Sequence, residues 1–443
     1  MANDPSDPSD VTSPPSPRTI RIGLLGCGNV GGALVPLVEQ QAATIADRTG
    51  LRLEITRVAV RNMSKDRGMT LAEGVLTREA HEVVVDPDID LVVEVIGGIE
   101  PARELIAAAI EAGKPVVTGN KELLANVGAE LFALADQHGV DLLFEAAVAG
   151  GIPLIRPLRE SLRGEPVSRV LGILNGTTNY ILTKMSEEGA EYGEALAEAQ
   201  ELGFAERDPT ADVEGYDAGA KAAIIATIAF GSRVVAGDVY HEGISGVTSG
   251  DISVAKRLGY VVKLLGIAER DAETGEIAVR VHPAMVPETH PLASVRESFN
   301  AVFVEGDAVG QLMFYGRGAG GAPTASAVFG DVIDAAVNLD KGTHGSLGAF
   351  AKAKIRAIDE TSAEYLLSLD VADEPGVLHA VTGAFAHHGV SIRAAEQEGI
   401  GPDARLVFIT HSAREADVQA TVRHLRDLDV VHRIGGFIRV IGS

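Results

Sequence analysis

Residues Thr19 to Gly31 read TIRIGLLGCGNVG, and this stretch decides the fold. A strand-like run, Thr19 to Gly26, enters Gly26-Cys27-Gly28-Asn29-Val30-Gly31. A helical pattern follows from Gly32 to about Arg48. This is G-x-G-x-x-G in a strand–turn–helix setting, where glycines permit a tight turn and a close backbone approach to a pyrophosphate. The helix N-terminus adds unpaired N–H donors and a favourable dipole. Gly26, Gly28, Asn29, Val30 and Gly31 are therefore expected to hold a dinucleotide. Later apolar runs, Ile55–Val60, Glu82–Val85, Leu91–Ile96, Pro115–Thr118 and Asp141–Glu145, read as further strands with helices between them. That alternation predicts a Rossmann-type, doubly wound parallel sheet over residues 19–150.

The second strand ends at Val60-Arg61 rather than at Asp or Glu, and Lys65 and Arg67 follow. A carboxylate there would bond the ribose diol of NAD, whereas a cation suits a 2′-phosphate. Arg61 and Lys65 thus favour NADP, with NAD also possible; a solvated basic loop is the plainer alternative. Cys27 lies beneath the expected pyrophosphate, badly placed to attack a carbonyl, so thioester chemistry is not expected. As a small residue at an x position it needs no further explanation.

The bulk composition narrows the classes. The chain has 443 residues, 46% of them hydrophobic, enough for two or three domains with cores. A formal net charge of −24, no Trp and 4% aromatics oppose a nucleic-acid partner. No apolar run is long enough for a membrane span, and residues 1–18 have no signal-peptide pattern. That Pro, Ser and Asp-rich stretch is expected to be a disordered tail. A single cysteine suits the cytoplasm. The histidines show no zinc spacing, and the adjacent His387 and His388 are expected to point apart.

Four further segments carry chemistry. In Ala199–Lys221 (AQELGFAERDPTADVEGYDAGAK), Asp217 and Lys221 are one helical turn apart and share a face. An apolar AAIIATIAF follows, so Lys221 enters a buried helix at its wet end, where its pKa is open to being lowered. A surface ion pair is the alternative. Thr118-Gly119-Asn120-Lys121 opens a helix with a lysine that opposes the helix dipole. Asn175-Gly176-Thr177-Thr178-Asn179-Tyr180 opens another, as an ordinary N-cap or as a ligand cradle. Gly316 to Thr324 is a second glycine-rich loop before a helix at Ala325–Val337, a cofactor contact or an interdomain linker.

The pattern A-x3-G-F-A-x2-D-P-x2-D-V-x-G-x-D-x3-K, unbroken from Ala199 to Lys221, resembles the signature of homoserine dehydrogenase. The resemblance covers about residue 18 to the C-terminus. It implies NAD(P)-dependent interconversion of L-homoserine and L-aspartate 4-semialdehyde in threonine, methionine and isoleucine biosynthesis. It implies that Lys221 is the proton donor and that Lys121 lies near nicotinamide and substrate. Gly176, Thr177, Glu206 and Asp217 then contact the substrate, with Asp212 in support. Gly203, Gly318 and Gly320 join the cofactor contacts. A monovalent cation such as sodium is implied at Glu145, Val148, Gly150 and Ile152 through one carboxylate and main-chain carbonyls; bottom-up, AAVAGG is equally a tight strand exit. Other Rossmann oxidoreductases, and a cofactor-binding amino-acid sensor without catalysis, are the rivals. The first leaves the Gly203–Lys221 pattern unexplained; the second requires damage at positions that are intact. No motif of an attached aspartate kinase is present, so a monofunctional enzyme is expected.

The expected organisation continues with an α+β substrate and dimerisation domain over 151–320. A return helix and linker to the core follow at 321–345. From 364 to 443 the order β-α-β-β-α-β is ferredoxin-like. Its Asp373-Glu374-Pro375-Gly376-Val377-Leu378 turn resembles that of an ACT domain, which implies an amino-acid effector, threonine, near Gly376. A dimerisation module without ligand is the alternative. A homo-dimer or homo-tetramer is expected, and a chain ending near Ala363 is expected to keep the chemistry.

Overall fold

The computed structural model describes residues 17–69, 71–399 and 404–442. The expected tail lies outside them through Ser16; Arg18 already belongs to the first strand.

The N-terminal unit runs β1 (Arg18–Leu25), α1 (Asn29–Thr49), β2 (Leu51–Ala59), β3 (Leu76–Thr77), α2 (Ala80–Val85), β4 (Leu91–Glu94), α3 (Ala102–Glu111), β5 (Val116–Thr118), α4 (Lys121–His138) and β6 (Leu142–Leu143). Its six strands lie in the order β3-β2-β1-β4-β5-β6, all parallel. The chain reverses direction across the sheet between β1 and β4, where a crevice for ligands opens at the carboxyl ends of the strands. One expected strand is corrected: Glu82–Val85 belongs to α2. Four apolar residues in a row do not distinguish strand from helix. Edge pairing to β2 goes instead to Leu76–Thr77, and Val83 packs over Gly23, where a Cβ would stand 2.6 Å from Val83 Cγ1. Glu145 is likewise not in a strand but opens a short 3₁₀ turn, Glu145–Ala147.

The second unit runs β7 (Val167–Ile173), α5 (Gly176–Glu188), α6 (Tyr192–Glu201), α7 (Thr210–Val213), α8 (Tyr216–Phe230), β8 (Ser232–Arg233), β9 (Tyr240–His241), α9 (Ser249–Arg257), β10 (Tyr260–Arg270), β11 (Ile277–Pro287), β12 (Phe299–Gly306) and β13 (Gly310–Arg317). Buried Ala222, Ala223, Ile224, Ile225 and Ala226 seat α8 in the core, each Ile contributing about 1.5–3 kcal/mol. The chain then returns. In α10 (Gly321–Lys341), Ala325, Val328 and Val332 share a core with Leu34, Val35 and Val38 of α1. A short strand, β14 (Ala351–Lys352), pairs with β8.

The C-terminal unit is β15 (Ser362–Val371), α11 (Val377–His387), β16 (Ile392–Glu398), β17 (Arg405–Thr410), β18 (Ala413–Arg414), α12 (Glu415–Arg426) and β19 (Val431–Val440). Its main strands lie in the order β19-β15-β17-β16. The unit is not set apart from the rest. β19 pairs in parallel with β11 at Ala284↔Arg439 and Met285↔Val440, so one sheet runs through both units. Arg439, 2% exposed, is held by both carboxylate oxygens of Glu415 and by Glu242 at 2.6 Å. A chain ending near Ala363 would lose all of this. His387 and His388 do not point apart: their rings lie 4.8 Å centre to centre, each 5.4 Å from His424. Successive positions at a helix end are about 100° apart, not opposite.

Candidate active site

The N-termini of α4 and α5, the N-terminal turns of α8 and the loop before α10 line a cleft of about 1180 Å³. Gly215, at φ +83°, admits the chain to α8 in the left-handed region. Asp217 then falls in the first turn, where the helix dipole favours a carboxylate. Lys221 follows one turn later and is buried. Its Nζ donates to Asp217 Oδ2 at 2.6 Å and to the Leu174 carbonyl at 2.7 Å. Lys121, the first residue of α4, brings its Nζ to 2.5 Å from the other oxygen, Asp217 Oδ1.

The electrostatics follow from this sharing. Burial pulls the Lys221 ammonium below its ordinary value, and Lys121 adds to that, while Asp217 opposes both. Burial also lowers Lys121, but the charge and hydrogen bond of Asp217 outweigh it and hold that ammonium above its ordinary value. Asp217 itself is raised by burial and lowered more by Lys221 and Lys121, so it sits well below the usual carboxylate range. Burial pushes Asp212 upward despite its bond from Asn175. The site thus holds one buried ammonium with a depressed pKa, a second cation beside it and a firmly ionised carboxylate between them.

Sequence reasoning named most of these side chains but missed their organiser. Asn175 uses Oδ1 to cap α5, accepting from Thr178 N at 2.9 Å. Its Nδ2 donates to Asp212 Oδ1 at 2.7 Å and to Asp217 Oδ2 at 3.0 Å. The N-cap reading accounted for half of this amide; the other half was the available signal. Thr177 Oγ1 donates to the Phe204 carbonyl at 2.6 Å and reaches Asp212 at 3.4 Å. Gly176 is tight: a Cβ there would lie 2.6 Å from the Ser298 carbonyl. Gly203 (φ +75°) and Glu206 stand exposed on the cleft lining, apart from the lysine cluster. Ser298, Asn300 and His241 also line the cleft and carry no local signal, and Arg317 lines it from the second glycine-rich loop.

At the sheet end, Gly26 has φ +98°, and a Cβ on Gly31 would collide with the Gly26 carbonyl. Gly28 faces open space. Asn29 and Val30 begin α1. The second glycine loop meets the first: a Cβ on Gly321 would lie 2.8 Å from the Asn29 carbonyl, and Gly318 and Gly320 line the cleft beside it. Such a cradle of bare backbone and helix N–H groups fits a dinucleotide pyrophosphate. Arg61 and Lys65 are exposed on the loop after β2. Arg67 folds that loop by donating to the carbonyls of Lys65 (2.7 Å) and Asn62 (2.5 Å). Cys27 is buried and its thiol is raised by burial, against Arg67 and Lys65.

Glu145 is spoken for in part. Its carboxylate accepts from the main-chain N–H of Leu154 (2.5 Å), Ile155 (2.7 Å) and Arg156 (2.8 Å). The main-chain oxygens of Val148, Gly150 and Ile152, all in buried residues, accept no hydrogen bond among the described residues. Ala149 (φ 57°) and Gly150 (φ 53°) turn the backbone between them. Three free buried carbonyls and a carboxylate are a donor set for a hard cation.

Gly376 caps α11 at φ +97°, and a Cβ there meets nothing within 4 Å. The glycine is required by its left-handed backbone, not by a close approach within this chain.

The homoserine dehydrogenase NAD-binding domain family model matches residues 26–145, the homoserine dehydrogenase model residues 153–333 and the ACT domain model residues 365–430. The homoserine dehydrogenase of Mycobacterium tuberculosis is 49% identical over 440 residues, covering 97% of this chain and 99% of that one. The crystal structure of a homoserine dehydrogenase from Thiobacillus denitrificans superposes with a TM-score of 0.90 at 42% identity, over 96% of this chain and 98% of that one. A hyperthermophilic archaeal homoserine dehydrogenase in complex with NADPH superposes with a TM-score of 0.63 at 29% identity, over 72% of this chain and 98% of that one.

Proposed function

The chain belongs to the homoserine dehydrogenase family, a family of NAD(P)-dependent oxidoreductases, and from that premise we propose how its residues divide the work. The observation that carries the proposal is the Lys121–Asp217–Lys221 cluster in a cleft that also reaches the second glycine loop. A nicotinamide held in the cleft would supply hydride to the aldehyde carbon of aspartate semialdehyde, or accept it from the corresponding alcohol carbon of homoserine. Lys221 Nζ holds the proton that the developing alkoxide requires. Two of its three N–H groups are committed to Asp217 and Leu174, which leaves one for substrate. Lys121 stabilises the negative charge from the other side of Asp217. Glu206, exposed and with a carboxylate that accepts no hydrogen bond among the described residues, meets the substrate ammonium. Gly176, Thr177 and Asp212 shape the floor, with Asn175 fixing both aspartates.

Gly26, Gly28, Asn29, Val30, Gly31, Gly203, Gly318 and Gly320 hold the cofactor. Arg61 and Lys65 favour NADP. A monovalent cation on Glu145, Val148, Gly150 and Ile152 braces the floor of the cleft; exchanging sodium for choline at constant ionic strength should lower activity. Threonine, an end product of the route, binds around Gly376 and inhibits. The enzyme is a homo-dimer or homo-tetramer in solution, which sedimentation measures. The whole reading is tested by NADPH oxidation with aspartate semialdehyde and by identifying homoserine as the product.

A further inference from the structure

Lys263 lies on β10, 2% exposed, outside the lysine cluster. Its Nζ donates to Asn179 Oδ1 at 2.9 Å and to the Val295 carbonyl, and to no carboxylate among the described residues. The nearest charges, Glu187 and Arg296, pair with each other at the surface. Burial pulls the Lys263 ammonium down to about 8, with Glu187 opposing and Arg296 assisting. A buried cation met only by neutral oxygens is a costly feature to keep in a core.

Its surroundings point to a use. Asn179, on α5 and 1% exposed, places Nδ2 at 2.9 Å from the Glu297 carbonyl, 3.2 Å from that of Phe299 and 3.4 Å from that of Val295. Lys263 and Asn179 therefore clamp one tight turn, Val295–Phe299, by its main-chain oxygens. That turn is strained: Glu297 has φ 54°, in the left-handed region, without being glycine. The clamped turn carries Ser298, whose carbonyl presses on Gly176, and leads to Asn300, whose buried Oδ1 has no hydrogen-bond partner. Both residues line the cleft.

We propose that Lys263 is a positioning residue for the reaction: with Asn179 it locks the Val295–Phe299 turn and so sets Ser298 against Gly176, at the substrate end of the cleft, and Asn300 against Gly318 of the second glycine loop. The inference rests on the cleft being the semialdehyde site. It adds a residue that touches neither substrate nor cofactor.

The test compares the full-length enzyme with Lys263→Met, Lys263→Gln and each of these combined with Glu297→Gly. Wild-type turnover of semialdehyde is measured first; its absence would sink the functional reading rather than this one. Losing a charge-assisted bond to the turn should raise KM for semialdehyde about tenfold in Lys263→Met, with a smaller rise in Lys263→Gln, which keeps a neutral amide donor. Glycine at 297 adopts the left-handed backbone without strain, so it should restore much of that KM while leaving the Lys263-intact enzyme unchanged. A purely structural lysine would lower melting temperature without a KM effect, and Glu297→Gly would raise stability in both backgrounds alike. Folded Lys263 variants with wild-type KM, or a KM defect untouched by Glu297→Gly, would overturn the proposal. Should Lys263→Met fail to fold, the Lys263→Gln pair decides alone.

Discussion

Lys121 and Lys221 share one carboxylate: Asp217 Oδ1 lies 2.5 Å from the first ammonium and Oδ2 lies 2.6 Å from the second. The two lysines come from helices on different sheets, so this bond joins the cofactor unit to the substrate unit. It also makes each lysine's charge depend on the other through Asp217.

Asp217→Asn therefore has a signed pH effect. In the reducing direction Lys221 must carry its proton, so activity is full below its pKa and is lost as pH rises through it. Burial and Lys121 depress that pKa while Asp217 supports it. Removing the carboxylate should move the alkaline limb of kcat to lower pH; an unmoved or raised limb would show that another group titrates there. Breaking the buried pair with Lys221 should cost about 3–5 kcal/mol. The Lys121 side chain is 44% exposed, so its pair adds only about 1 kcal/mol or less.

Arg61 should read the 2′-phosphate. It is exposed on the loop after β2, whereas Arg67 is engaged in folding that loop. Arg61→Ala should weaken NADP binding by about 1.5–3 kcal/mol, the range for a charge-assisted hydrogen bond, and leave NAD nearly unchanged. Titration of both cofactors checks this, and equal losses would remove Arg61 from phosphate recognition.

The C-terminal unit cannot be removed cleanly. Truncation near Ala363 strips β19 from β11 and takes away the arginine partner of Glu242. Thermal melting should fall well below that of the intact chain. Arg439→Met in the full chain should cost about 3–5 kcal/mol, because Glu415, 2% exposed, is left charged with no cation beside it and only the neutral donors Tyr365 and Gln419. A truncated protein as stable as the whole would contradict the role assigned to this seam.

Threonine sensitivity is better probed by a point change. Gly376→Asp forces a side chain onto φ +97°, at about 1–3 kcal/mol of local strain. Threonine should inhibit the wild type through a coupling of about 1–3 kcal/mol and inhibit this variant less. Reciprocity requires substrate to change threonine affinity by the same factor. Equal inhibition of both proteins would place threonine elsewhere, and none in either would leave the unit without that effector.

Much of this was legible in the chain because it is local. The glycine loop declares itself by strand, turn and helix within one short window, and Asp217 and Lys221 meet by helical spacing alone. What escaped depends on partners far away in sequence. Nothing near Asn175 announces that its amide ties together Asp212 and Asp217, and nothing near Ser298 says that it closes on Gly176. The parallel pairing of β11 with β19 leaves no local trace, so the C-terminal unit reads as separable. Glu82–Val85 and the His387–His388 pair were misread because a short run fixes neither its own period nor its rotamers.

The most direct test of the account is the steady-state reduction of aspartate semialdehyde by NADPH with wild type and Lys221→Met. Homoserine is the expected product. The kcat of the variant should be lower by about 10²–10⁴-fold, with NADPH affinity and circular dichroism retained. Near wild-type turnover in a folded Lys221→Met protein would contradict it and return Lys221 to the status of a buried ion pair.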